Sequence, residues 1–142
     1  MPHADTDGIS RGEPVLLWDE SHFWGVLLLR ALEGLHFPFR LLRSREVALG
    51  ALQRLRPPAL LVPGGWASRK AKSLGPEGRE AIREYVAHGG CYLGFCGGAG
   101  LALSDRGSAG ICPWERRGFS SRLHHFSSGH VLARLDPDHP LT

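Results

Sequence analysis

No apolar run in this 142-residue chain comes near the ~20 residues a membrane-spanning helix needs; the most apolar stretch, Phe23 to Leu29, is short and holds Gly25. The opening segment, Met1 to Glu13, has no apolar centre and carries Asp5, Asp7 and Glu13, so it does not read as a secretory signal. Cysteine is scarce: Cys91, Cys96 and Cys112 are odd in number and form no C-x-x-C pair. Neither a disulfide framework nor a zinc site is expected from them, and a reducing cytoplasm is the expected compartment. Charge of one sign is also lacking, with 17 Lys and Arg against 14 Asp and Glu for a net +3. A balance that even does not mark a nucleic-acid binder. Gly97-Gly98-Ala99-Gly100 has neither the G-x-G-x-x-G spacing nor a Gly-Lys-Ser/Thr ending, so no nucleotide cofactor is expected. What remains, 42% hydrophobic and 22% charged residues, is the composition of one globular domain with a core of its own.

Short apolar runs alternate with helical patterns along the chain. Pro14 to Trp18 predicts a strand covered on both faces, and Asp19-Glu20-Ser21 a cap for the helix that follows. Apolar residues from Phe23 to Leu32 spill over more than one helical face, which predicts a heavily buried helix ending at Gly34. Phe39 to Leu42 reads as a second strand, and Ser44 as the cap of a helix carrying Val47, Ala48, Leu52 and Leu55. Ala59 to Val62 is a third strand, cut off by Pro63-Gly64-Gly65. The polar stretch Ser68 to Lys72 leads to Gly75-Pro76, and a helix begins at Glu77 with Ala81, Ile82, Tyr85 and Val86 on one face. Gly89-Gly90 stops it, and Cys91 to Phe95 is a fourth strand running into Cys96 to Gly100. Beyond Asp105, Gly110 to Cys112 and His130 to Leu135 are strand candidates. The alternation predicts an α/β fold with a mostly parallel sheet between helical layers, residues 14–142 after a flexible lead-in of 1–13.

Ligands of such sheets bind beyond the carboxyl ends of the strands. Two glycine corners fall there, Gly64-Gly65 and Gly94-Phe95-Cys96-Gly97-Gly98. A strand that turns within one residue into a helix presents the corner side chain, and flanking glycines relieve the crowding. Cys96 occupies the nucleophile position of that corner, where a helix N-terminus favours thiolate. Backbone N–H groups of Gly97 and of Gly64 or Gly65 are the candidate oxyanion donors. Cysteine is also one of the most buried residue types, which is the plain reading of Cys91 and Cys112. Trp66 reads either as the floor of a substrate pocket or as cover for a neighbouring helix.

The blocks LLVPGGW (60–66), GREAIREYVAHGG (78–90) and CYLGFCGGAGLAL (91–103) together resemble the class I glutamine amidotransferase-like superfamily, and within it the biotin-protein ligase N-terminal-like family. The resemblance implies a three-layer flavodoxin-like sandwich, with Cys96 as nucleophile and Gly64-Gly65 as the oxyanion turn. Enzymes of that superfamily commonly complete a triad with a downstream histidine and carboxylate, yet no His-x-Glu pair follows Cys96. A domain lacking its C-terminal elements is the expectation. The intracellular-protease branch pairs its cysteine with a loop histidine and a glutamate after the first strand, which makes His124 or His125 and Glu20 candidates against a background of eight histidines. His124, His125 and His130 make a poor zinc set, since adjacent strand residues point to opposite faces. Arg116, Arg117 and Arg122 read as a solvated face. Biotin ligation in ligases resembling this family belongs to another domain, and Glu115-Arg116-Arg117-Gly118 is not its motif. Two functions follow as expectations: a cysteine-dependent hydrolase or amidotransferase-like domain acting on a small amide or acyl substrate, without cofactor, or a non-catalytic binding or regulatory module that retains the fold.

Overall fold

The computed structural model describes residues 12–115 together with 132, 134 and 136–138. Four parallel strands are present among them: β1 (Val15–Leu17), β2 (Arg40–Leu42), β3 (Ala59–Val62) and β4 (Cys91–Gly94). Their order is β2-β1-β3-β4, with Leu16 opposite both Leu41 and Leu61, and Leu61 opposite Leu93. Helices α1 (His22–Gly34), α2 (Ser44–Ala48), α3 (Ala51–Leu55), α4 (Ala67–Ala87) and α5 (Gly97–Ala102) fill the connections. This is the doubly wound, flavodoxin-like three-layer arrangement, and its order reverses between β1 and β3.

The layers follow from the two-residue period of the strands. Val15, Leu17, Leu42, Leu60 and Val62 point to one face, where Val47, Leu52, Leu74, Ile82 and Leu101 of the later helices close over them. Leu16 and Leu61 point to the other face and meet Leu28, Leu29 and Leu32 of α1. Tyr85 ties the far end of α4 to the sheet: its hydroxyl donates to the carbonyls of Pro57 at 2.9 Å and Cys91 at 3.2 Å. Among the described residues no helix is long and apolar enough to cross a membrane.

Several expectations are corrected. The first helix is not heavily buried: only Gly25 and Leu32 of α1 are, while Phe23, Trp24, Val26 and Leu27 are exposed, because α1 is the sole described helix on its face. The helix from Ser44 is two, broken at Gly50, whose φ of +80° departs from the helical region. Ser44 does not cap it; the Asp19 carboxylate reaches across from the end of β1 and accepts the Ser44 N–H at 2.7 Å. Ser68 to Lys72 is helical and belongs to the first part of α4, interrupted at Gly75 (φ 66°, ψ −178°). Cys91 is exposed and Cys112 half-buried, since β4 is the edge of the described sheet. Gly110 to Cys112 forms a loop and not a strand: the N–H groups of Ile111 and Cys112 go to the Ala102 carbonyl, at 3.0 and 2.8 Å, satisfying the open end of α5. The strand expected over 130–135, the arginines at 116, 117 and 122, and the histidines at 124, 125 and 130 lie outside the described residues, with Leu132 and Arg134 alone described and in no strand.

Candidate functional site

Three strand-to-helix turns converge at the carboxyl end of the sheet. The first, after β1, is Trp18 to Ser21; the second, after β3, is Pro63 to Trp66; the third is Phe95 to Gly97. They pack backbone against backbone, which is why the second and third are built from glycine. A Cβ on Gly97 would stand 1.8 Å from the Gly65 carbonyl oxygen, and one on Gly98 would stand 2.0 Å from that of Val62. Gly65 in turn abuts Glu20, whose carbonyl oxygen would be 2.3 Å from an added Cβ. Glu20, Gly65 and Gly97 thus lie in one line of contact, with Cys96 at its end.

Cys96 has φ 50° and ψ −110°, a conformation that an L side chain rarely adopts, and its side chain is exposed. The corner is held by Phe95 N–H on the Val62 carbonyl at 3.0 Å, by Gly98 N–H on the Phe95 carbonyl at 2.8 Å and by the Tyr92 hydroxyl on the Gly98 carbonyl at 2.6 Å. Burial pushes the Tyr92 phenol well above its ordinary range, so it stays a donor. The corner torsions are the mirror image of an ordinary extended conformation, which glycine adopts freely. Cys96→Gly is therefore expected to raise the unfolding free energy by about 1 kcal/mol in urea titrations, and Cys96→Ala, which keeps the Cβ, is not.

Lys70 is the residue that sequence reasoning missed. It is completely buried on α4, and its ammonium donates to the Ser21 hydroxyl at 2.8 Å and to the Asp19 carbonyl at 3.3 Å. The Ser21 hydroxyl passes its own hydrogen to the Leu17 carbonyl at 3.2 Å, so it is an acceptor toward Lys70 and not a nucleophile activated by it. Burial pulls the Lys70 amine down to about 8, opposed by the negative charges of Glu20 and Asp19 and of Cys96 when ionised. Asp19 is occupied elsewhere: burial alone would raise it, but the Arg43 guanidinium at 2.8 Å and the Ser44 N–H hold its carboxyl below the usual range. A signal for Lys70 was present in the sequence. Ala67, Lys70, Ala71 and Leu74 recur at helical spacing, and a lysine on such an apolar stripe is a buried-charge candidate.

The turns bring together Cys96, Gly64, Gly65, Gly97 and the backbone of Glu20. The Glu20 carboxylate lies 3.6 Å from the imidazole of His22. Of the described histidines, His36 and His88 follow α1 and α4 at the opposite end of the sheet, which leaves His22 at this one. No hydrogen bond joins the Cys96 sulfur to a histidine among the described residues. Trp24 lies against Gly64, and its ring is tilted by 34° against that of Phe23 with centroids 4.1 Å apart. With Trp66 and Phe95, both largely exposed, they give this end of the sheet an aromatic rim. A cleft of about 490 Å³ between Leu52, Arg56, Glu84, Tyr85 and His88 lies at the other end, away from Cys96. No three His, Cys, Asp or Glu side chains among the described residues come together as a metal site.

The double-glycine turn and the strained cysteine corner lie in the first and last of the three blocks on which the family resemblance was drawn. Residues 55–106 match the family described as Biotin-protein ligase, N terminal. The resemblance is upheld over that stretch. No curated protein and no solved structure matches the chain. The biotin-protein ligase N-terminal match spans β3, the double-glycine turn, α4 with Lys70, β4 and the Cys96 corner. It leaves out β1 and the turn carrying Asp19, Glu20 and Ser21.

Proposed function

We propose that this domain is a cysteine-dependent hydrolase or acyl-transfer site of the amidotransferase-like kind, with Cys96 as its nucleophile. The observation that carries this reading is the exposed Cys96 side chain on a strained corner, pressed through Gly97 against the Gly64-Gly65 turn. The Cys96 thiolate attacks the carbonyl carbon of an amide, and the charge that develops on oxygen faces the N–H groups of Gly97 and of Gly64 or Gly65. Collapse of the tetrahedral species breaks the carbon–nitrogen bond, the amine leaves with a proton taken from water, and the resulting thioester is cleaved by water or by an acceptor nucleophile, which returns the Cys96 thiolate. The aromatic rim of Trp24, Trp66 and Phe95 suits a substrate with an apolar portion.

At pH 7, iodoacetamide is expected to label Cys96 roughly tenfold faster than the exposed Cys91, which serves as an ordinary thiol in the same molecule. A burst of p-nitrophenol from p-nitrophenyl acetate, absent in Cys96→Ala, is the second expected result. Equal labelling of the two cysteines removes the nucleophile reading. A binding or regulatory module is the second reading, favoured by the lack of a histidine bonded to the Cys96 sulfur among the described residues. Fast labelling with no burst supports it.

A further inference from the structure

The nucleophile reading of Cys96 leaves one buried group without a role. Lys70 is completely enclosed, although an apolar side chain would suit its neighbours Ala67, Ala71 and Leu74 on the same stripe of α4. A buried ammonium is costly unless it is bonded and matched by charge. Two of its protons are bonded, to the Ser21 hydroxyl and the Asp19 carbonyl, both in the β1–α1 turn. Its Cε would lie 3.5 Å from a Cβ placed on Gly65, the residue whose carbonyl presses on Gly97. Lys70 therefore stands behind the β1–α1 and β3–α4 turns at once, and the second of these carries the Gly65 carbonyl that presses on Gly97 beside Cys96.

Resting on the nucleophile reading, we propose that Lys70 is a positioning residue of the Cys96 site: it pins the β1–α1 turn against the double-glycine turn and supplies a fixed positive charge that favours the thiolate of Cys96. The charged groups around it support this assignment. Asp19 is engaged by Arg43, and Glu20 lies 3.6 Å from the His22 imidazole, which carries a charge only when protonated, each on the β1–α1 side. The β3–α4 turn offers only the backbone of Gly64 and Gly65, and the β4–α5 corner offers Cys96. Arg69 and Lys72, the neighbouring cations on α4, are exposed. Glu20, Asp19 and then Cys96 are the negative groups that act on the ammonium, and of the three only Cys96 stands at the strained corner. Lys70 is mainly protonated at pH 7, its amine being drawn down only to about 8. The charge does not touch substrate, since the side chain is enclosed; it acts through the sulfur.

The test is the pH profile of iodoacetamide labelling, resolved by site in the full chain, with Cys91 as internal reference. Lys70→Met is expected to slow Cys96 at pH 7 by roughly three- to tenfold and to change its labelling profile relative to that of Cys91. Cys91 is expected to be unaffected, and Lys70→Arg to restore most of the rate. A residue that merely packed would change the melting temperature and leave the Cys96 profile in place; that result overturns the proposal and spares the nucleophile. Wild-type labelling of Cys96 no faster than of Cys91 overturns both together. Should Lys70→Met not fold, Ser21→Ala frees the ammonium from its 2.8 Å acceptor, and an unmoved Cys96 profile in that variant counts equally against the proposal.

Discussion

Gly97→Ala and Gly98→Ala are each expected to lose on the order of 3–5 kcal/mol of unfolding free energy, read from urea denaturation, and about 10–20 °C of melting temperature. The reason is contact with main chain. The new methyl group would meet the Gly65 carbonyl oxygen at 1.8 Å in one case and the Val62 carbonyl oxygen at 2.0 Å in the other. Neither oxygen belongs to a side chain that can rotate away. Relief requires that the β3–α4 turn separate from the β4–α5 corner, and with it the contact from Gly65 to Glu20. The same separation moves the candidate oxyanion amides away from Cys96, so its labelling rate should fall toward that of Cys91. Gly34→Ala is the control. It ends α1 with nothing within 4 Å of an added Cβ, and a neutral or slightly stabilising effect is expected. If Gly97→Ala were as stable as Gly34→Ala, the packing of the three turns described above would be wrong.

The second large effect is on the pH dependence of stability. Lys70 holds its proton up to about 8 in the folded chain and to its ordinary 10.5 in the unfolded one. Between those values the unfolded state binds more protons, so unfolding free energy rises with pH across that window. Allowing for solvent screening, the gain is on the order of 1–2 kcal/mol. Tyr85 works in the opposite sense. Burial first, and then the charge of Cys91, push its phenol up to about 12 from 10.0, and Tyr92 is raised further by burial. Their contribution is fully present below pH 10 and is lost above it, as the unfolded tyrosines ionise first. Urea titrations from pH 7 to 11 are therefore expected to show stability climbing from about pH 8 and turning downward beyond about pH 10. Lys70→Met should abolish the climb and keep the fall. A wild-type curve that is flat between pH 8 and 10 would mean that the Lys70 ammonium is not desolvated as the structure places it.

How much of this was readable in advance differs by residue. Cys96 and the double-glycine turn were legible because their requirements are local. A strand-to-helix corner needs small residues on either side whatever packs around it, and Gly94, Gly97 and Gly98 sit next to the cysteine in the chain. The strands were legible for a similar reason: a short apolar run such as Ala59–Val62 has few homes other than a covered sheet position. Lys70 was hidden by the rule that usually serves best, namely that a run such as Ser68-Arg69-Lys70-Lys72 belongs in water. Its start of helix was obscured as well, since Trp66 is no ordinary cap.

By itself, then, the order of residues determined the alternation of strands and helices, the parallel sheet it implies and the bend at Cys96, because each depends on neighbours within one turn of chain. Only the tertiary structure decided that Asp19 caps α2 and not the helix beside it, that α1 shows Phe23 and Leu27 to solvent, and that Lys70 lies enclosed behind the β1–α1 and β3–α4 turns. Those facts depend on which elements lie side by side, and on which faces other layers cover. Capping, exposure and the burial of a charge are properties of partners brought together across 25 to 51 positions of chain, and no window along the sequence contains both members.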